Sequence, residues 1–346
     1  MSLDQFSVAT FNLFNLQLPD KRMNPGQNVW TAEEFRRKIS WITSQLRSVD
    51  ADIVGLQELW HRDAMAEVLT DPKLADTYEL LAEPADGRRI ICAALVRRGL
   101  RRGDPDWITD FPDPVKLESS DPGDPQAPRI SVSVPRFSRP VLHFKVALRD
   151  EPPLTEVFVT HLKSKLPTRI DEESWFLDSP DTFKPHATAL GAALSTIRRT
   201  AEAAALRVLL TGVMKGTKTP VIVLGDVNDG QHSNTVNILT EQPRYLVGDA
   251  RGGADIGLYT AQTLQEYRDT RDVYYTHVHN DLRESLDHIL VSEQFYDHSR
   301  NRHWLFDGLM INNDHLNEEN HRRTGSGDHG VVRVAFTFRP VQRPTP

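Results

Sequence analysis

One cysteine, Cys92, in 346 residues leaves no intrachain disulfide framework and no cysteine-built zinc site. No uninterrupted apolar run approaches the roughly 18 residues that a bilayer-spanning helix requires. The longest candidates, Ile90 to Val96 and Pro220 to Leu224, have the length of buried strands. Positive charge is not in excess either: 41 Lys and Arg against 48 Asp and Glu give a net charge of −7. The surface as a whole is therefore no cationic glove for nucleic acid, and a polyanion has to be met locally. Repeats at a fixed period and low-complexity tracts are absent, which sets aside solenoids and propellers. The segment Met1 to Thr10 has no basic n-region and no apolar h-region, and it enters a strand pattern at once. The expectation is a cytoplasmic protein, with a removed leader left open.

What is present is a 39% apolar chain with strand-like runs along its whole length. These are Phe6 to Phe11, Ile53 to Gln57, Ile90 to Val96, Ile130 to Val134, Leu142 to Leu148, Glu156 to Thr160, Val221 to Leu224, Leu286 to Val291 and Val331 to Phe338. Most are β-branched and bounded by Gly, Pro, Asp or Asn. Two helices stand out between them. Thr31 and Glu34 have the spacing of a capping box, followed by the stripe Phe35, Ile39, Ile42 and Leu46 before Asp50. The second runs from His186 to Met214, with Gly216 placed for its C-terminal cap. Strands mixed with helices predict an α/β or α+β architecture. The Pro- and Asp-rich segments Asp104 to Pro128 and Leu166 to Pro185 read as long surface excursions.

Six segments share one design, in which an apolar strand ends and carboxylates, amides or imidazoles follow. They end in Asn12, in Gln57-Glu58, in His161, in Asp226-Val227-Asn228, in Asp287 before Ile289 to Val291, and in Asp328-His329. Glu58, Asp226, Asn12, Asn228 and Asp328 form a hard oxygen donor set without thiolate, which suits Mg²⁺, Mn²⁺ or Ca²⁺. Hydrolysis of a phosphodiester needs a positioned water, cancellation of charge on the non-bridging oxygens and a stabilised leaving alkoxide. Metal, imidazole and amide together supply all three. A second carboxylate accepting from the other ring nitrogen would raise the basicity of His329, and Asp287 is the candidate for it. A lone Asp-His pair among 13 histidines is usually a cap or a surface pair; here the surrounding motifs outweigh that reading.

In this order the motifs resemble the endonuclease/exonuclease/phosphatase superfamily, which includes pancreatic-type deoxyribonucleases, abasic-site endonucleases, neutral sphingomyelinases and inositol-polyphosphate 5-phosphatases. The resemblance spans Asn12 to His329. It implies a four-layer sandwich, two mixed β-sheets face to face with helices outside, and one domain over residues 1–346 with its core at about 5–338, because both ends of the chain feed one site. It further implies Glu58 as the principal metal ligand with Asn12 beside it, Asp328 supporting the metal or a second one, and Asp226 with Asn228 orienting the attacking water. His329 becomes general base or transition-state stabiliser, oriented by Asp287, and His161 sits near the leaving oxygen.

Departures narrow the choice. His161 stands in Val159-Thr160-His161-Leu162-Lys163 where abasic-site members have a tyrosine segment, and Phe14 replaces their second acidic residue. Leu286-Asp287-His288-Ile289 differs from the 5-phosphatase Trp-Cys-Asp-Arg-Ile pattern. His161-Leu162-Lys163-Ser164-Lys165 resembles the His-x-Lys-Ser-Lys segment of bacterial-type members, which makes Lys163 and Lys165 substrate-phosphate candidates and Arg139 a weaker one. The expectation is a divalent-metal-dependent phosphodiester hydrolase acting on nucleic acid. A sphingomyelinase-like enzyme is the alternative, with the excursion Trp107 to Pro114 as its nearest approach to a lipid loop, and a non-catalytic module comes last. Trp60 and Trp175 are the candidate stacking platforms, and Arg322-Arg323 a candidate cleft rim. His61, His232, His277, His279 and His288 are left outside the site.

Overall fold

The computed structural model describes residues 2–21, 29–84, 86–113, 115–120, 123, 126–243, 256–269, 275–318 and 320–341. In chain order the strands are β1 (Gln5–Leu16), β2 (Ile53–His61), β3 (Tyr78–Leu81), β4 (Asp86–Arg97), β5 (Arg101–Asp110), β6 (Leu117–Ser119), β7 (Ile130–Val132) and β8 (Arg136–Val146). They continue as β9 (Thr155–His161), β10 (Val221–Asp226), β11 (Leu258–Thr260), β12 (His277–His279), β13 (Leu282–Glu284), β14 (Asp287–Ser292), β15 (Trp304–Asn312) and β16 (Val331–Phe338). One mixed sheet has the order β15-β16-β1-β2-β4-β3, the other β11-β14-β10-β9-β8-β5. Two small hairpins, β6-β7 and β12-β13, lie apart from them.

Period-two alternation builds the layers. In β1, Val8 faces the core between the sheets while Ala9 and Phe11 face the first helix, Ala32–Val49. In β10, Ile222 and Leu224 face inward, and Val221 and Val223 pack on the long helix Ala187–Met214. Each strand thus serves two apolar layers, and the result is helix, sheet, sheet, helix: the four-layer sandwich. The first and last long strands, β1 and β16, pair antiparallel in the same sheet.

The capping box forms as read: Thr31 N–H donates to Glu34 Oε2 at 2.9 Å, and Glu34 N–H to Thr31 Oγ1 at 3.2 Å. Ile42 and Leu46 are buried, and Phe35 and Ile39 partly so. Two readings are corrected. Asp104 to Pro128 is not an excursion throughout, because β5 runs to Asp110 and pairs with β8, with residues 114, 121, 122, 124 and 125 outside the described set. Its polar sequence hides a strand because it is a sheet edge that buries little and is held by backbone pairing, where even Pro105 is tolerated. β15 carries no strand pattern in the sequence because Asp307 and Gly308 interrupt its apolar run at a bulge. Among the described residues, no helix is long and apolar enough to cross a membrane.

Candidate active site

Strand register assembles one wall. β10 pairs parallel with β9, which sets Asp226 opposite His161, and antiparallel with β14, which sets it opposite Asp287. Three chemistry-bearing residues therefore stand side by side at one sheet end without any loop to place them. Gly225 makes this approach tolerable: a Cβ there would lie 2.0 Å from the Thr160 carbonyl oxygen, with φ at +155°.

Asp226 is the hub. Its Oδ1 accepts from Asn228 N–H at 2.8 Å and its Oδ2 from Asn12 Nδ2 at 3.1 Å. The same Oδ2 lies 3.5 Å from His161 Nε2 and 3.9 Å from His329 Nε2. Asn228 also donates through Nδ2 to the Leu162 carbonyl at 3.1 Å, which ties the Gly-Asp-x-Asn loop to the end of β9. On the far side, His329 Nδ1 meets Asp287 Oδ2 at 2.8 Å in a wholly buried pair.

Burial and the neighbouring carboxylates raise Asp226 to about 7, His329 opposing and Asp287 and Glu58 adding. For His329 burial works against the charged ring, but Asp287 and Asp226 outweigh it and hold the imidazole well above its ordinary value. His161 goes the other way: burial, Arg139 and His329 push it well below, so it is a neutral ring. Its Nδ1 and the Asp287 Oδ1 are buried without a protein partner. One positive and one neutral imidazole therefore flank the same carboxylate.

The opposite wall is built by irregularity. A bulge in β2 shifts the register between Leu56 and Leu59 and leaves Glu58 left-handed at φ 62°. Facing it, Phe14 and Asn15 are also left-handed, at φ 50° and 53°. Backbone conformations of this kind cost energy and gather where side chains must be re-aimed. Asn15 N–H donates to Glu58 Oε2 at 2.8 Å, Phe14 N–H to Asn12 Oδ1 at 2.9 Å, and Trp60 Nε1 to Asn15 Oδ1 at 2.8 Å. Trp60 is thereby buried as a support and is no stacking platform.

Lys38 joins the site from the first helix. Its side chain is 1% exposed, its Nζ donates to the Ser326 carbonyl at 3.0 Å, and it lies 4.9 Å from the Phe14 ring centroid and 5.4 Å from that of Trp41. Burial lowers it to about 7 against the pull of Asp328 and Glu58. Gly325 permits the contact, since a Cβ there would strike the Arg37 backbone at 2.6 Å. A signal existed: Lys38 falls on the apolar stripe between Phe35 and Ile42, where a surface lysine has no place. His277, left outside by the sequence reading, forms an isolated antiparallel bridge with His329, with ring centroids 4.8 Å apart.

The remaining candidates divide. Arg139 donates to the Leu162 carbonyl at 2.9 Å and its charge is felt by both Glu58 and His161, so it belongs to the cleft. Lys163 is folded onto Ser164 and the Leu166 carbonyl, at 3.1 Å from the latter, and burial and Arg139 lower it to about 8. Lys165 spans Glu284 at 2.5 Å and Asp229 at 3.4 Å. Arg322 is not a free rim: it pairs with the capping Glu34 and covers Trp30, while Arg323 pairs with Glu318. Trp175 stays 40% exposed beside Phe183.

The acidic and imidazole groups here could hold a metal ion. Glu58 is half-buried, and burial and then Asp328 raise its carboxyl, a crowding that a cation relieves. Among the described residues, ligand atoms converge within 4.8 Å in two groups, Asp226-Asp287-His329 and His277-Asp328-His329, and Glu58 stands outside both.

Comparison with known proteins places this arrangement. The sequence profile of the Endonuclease/Exonuclease/phosphatase family matches residues 9–329. Truncated TDP2 of Caenorhabditis elegans superposes with a TM-score of 0.55 at 14% identity, covering 96% of this chain and 98% of that one. The human nocturnin catalytic domain with bound sulfate gives 0.53 at 15%, covering 98% and 97%. TDP2 of D. rerio complexed with a single-strand DNA product gives 0.54 at 16%, covering 96% and 99%. No curated protein matches the sequence.

Proposed function

Because the chain belongs to the endonuclease/exonuclease/phosphatase family, we propose that it is a divalent-metal-dependent phosphodiester hydrolase, folded as one domain and acting first of all on nucleic acid. The observation that carries this reading is the Asp226 hub, one buried carboxylate held by two amides between a charged and a neutral imidazole. A carboxylate near neutral pKa is suited to orient a water and take its proton. His329, kept protonated by Asp287, donates from Nε2 to a non-bridging oxygen as charge grows there. His161, fixed beside Asp226, stands ready at the leaving oxygen. Glu58 and Asn12, with Asp328, would hold the dication. When bound, that ion supplies Lewis-acid polarisation of the phosphate and cancels its charge. The single-strand DNA product in D. rerio TDP2 makes nucleic acid the first substrate to try.

Hydrolysis of bis(p-nitrophenyl) phosphate tests the reaction class: EDTA abolishes it, Mg²⁺ or Mn²⁺ restores it, and His329→Ala removes it in a folded protein. Activity surviving both treatments overturns the reading.

One observation favours a phospholipid substrate instead. Leu166 and Leu177 are 73% and 61% exposed, Trp175 lies on the same segment, Ser195 Oγ ties the segment to the long helix through the Leu166 carbonyl at 2.7 Å, and Leu190, Leu194 and Ile197 of that helix are exposed as well. By contrast Trp107 donates to the Cys92 carbonyl and packs on the core, so Trp107 to Asp113 is not a lipid loop; Pro114 lies outside the described residues. Hydrolysis of vesicular sphingomyelin that exceeds hydrolysis of single-stranded DNA, and that Trp175→Ala impairs, would give this reading precedence.

A further inference from the structure

The cleft has a second donor set whose chemistry differs from the oxygen-rich one. His277 and His329 face each other across an antiparallel bridge, and Asp328 completes a group whose ligand atoms all lie within 4.8 Å. Directly opposed residues of an antiparallel pair project to the same face, with Cβ atoms about 4.5–5.5 Å apart, close enough for two rings to meet one ion. The bridge is held by backbone: Gly330 N–H donates to the Thr276 carbonyl at 2.7 Å and Thr276 N–H to that of Glu284 at 3.0 Å. The His329 carbonyl is in turn fixed by His315 Nε2 at 2.8 Å. His329 Nδ1 is engaged by Asp287, the carboxylate-histidine arrangement that orients metal-binding imidazoles. His279, two residues along β12 and on the same face as His277, adds an exposed imidazole with its centroid 6.3 Å from that of His277.

Two imidazoles and one carboxylate match a borderline ion such as Zn²⁺ and are poor ligands for Mg²⁺, which prefers oxygen. We propose that His277, Asp328 and His329 form a transition-metal site that binds Zn²⁺, that the ion displaces the Nε2 proton of His329 to solvent, and that its occupation withdraws His329 from the phosphate and shuts the enzyme off. The binding stands on the donor geometry alone; the inhibition rests on the hydrolase reading. Asp328 is common to this group and to the oxygen-rich site, so the two ions compete there, while Glu58 lies outside this group and tells them apart.

Calorimetric titration of Zn²⁺ into the full chain in the absence of Mg²⁺ tests the binding. The wild type binds Zn²⁺ saturably, and Glu58→Gln retains that affinity. His277→Ala and the more conservative His277→Gln both lose more than the roughly 10–100-fold that removal of an outer-shell partner costs. In the hydrolysis assay the Zn²⁺ concentration for half-inhibition moves by the same factor. Unchanged Zn²⁺ affinity in His277→Ala, or none in the wild type, overturns the proposal. A chain that hydrolyses no phosphodiester sinks the functional reading, while the calorimetry still decides the site.

Discussion

The two walls of the cleft are made by different means. On the second sheet, His161, Asp226 and Asp287 come together because β9, β10 and β14 are in register, so three adjacent strands deliver three reactive groups with one glycine, Gly225, as the backbone concession. On the first sheet, Asn12 and Glu58 are delivered by a bulge and by left-handed residues, and the wall is braced by a buried lysine from a helix. The lesson is that the register wall should be rigid without help and fail only when its chemistry is removed, whereas the bulged wall should fail when its supports are removed.

The register wall breaks hardest. Asp226→Asn and His329→Ala each remove a group that acts on the reacting atoms, and a drop in kcat of about 10²–10⁴ is expected with an unchanged far-ultraviolet dichroism spectrum. Asp287→Asn keeps the shape but loses the charge that holds His329 protonated. A loss of about 10–100-fold is expected, with His329 titrating at lower pH by NMR than in the wild type. A kcat within twofold of wild type in Asp226→Asn would remove the hub from the mechanism.

Lys38→Met sharpens the contrast. It deletes the Nζ bond to Ser326 and the charge facing Asp328 and Glu58, but fills the same aromatic pocket with a flexible apolar chain. Removing one member of a buried charge group leaves the carboxylates uncompensated and the Ser326 carbonyl unpaired, so Tm should fall and kcat should fall with it, by about tenfold. A Tm drop together with unchanged kcat would make Lys38 a packing residue only.

Divalent ions probe both walls through pH. Asp226 is raised in the folded chain, to about 7 from an unfolded value near 3.8, so the fold binds its proton more tightly than the unfolded chain does. Its contribution is complete below the unfolded value and is lost as pH rises through about 7; the raised Glu58 acts in the same direction. The ion-free protein therefore loses stability over this window, and a bound dication restores it. The gain in Tm on adding Mg²⁺ should be larger at pH 8 than at pH 5, and Glu58→Gln should shrink it. An equal gain at both values would contradict the crowding of carboxylates.

Legibility in the sequence follows the same division. Asp226 and His161 could be read because each ends an apolar run, and Asp287 because it opens one; register does the rest. The capping box of the first helix was visible for a similar reason: it is a local rule with a fixed spacing. Glu58 could be named but not aimed, because the bulge at Leu56 to Leu59 leaves no mark in composition. His277 leaves no mark in the sequence because its partner lies 52 residues away across a single bridge. Lys38 did leave a trace, as a charged residue within an apolar stripe. β5 left none, since an edge strand buries too little to impose a pattern. The family resemblance supplied the four-layer arrangement, which periodicity alone had left as α/β or α+β.

The smallest effect is expected where neither wall is touched. Lys163 extends from the end of β9 just past His161, but its Nζ is spent on Ser164 and the Leu166 carbonyl, and burial has lowered it to about 8. It meets a substrate phosphate only by exchanging those bonds, so Lys163→Ala should leave kcat within about twofold and raise KM for an oligonucleotide several-fold. A contact to phosphate makes binding salt-dependent, with a slope of about −0.7 per contact on a single strand, and the variant should flatten the dependence of log kcat/KM on log salt by about that amount. Lys165, pinned between Glu284 and Asp229, should flatten it less. Equal slopes in wild type and Lys163→Ala would assign phosphate recognition to Arg139, which already reaches the cleft from β8.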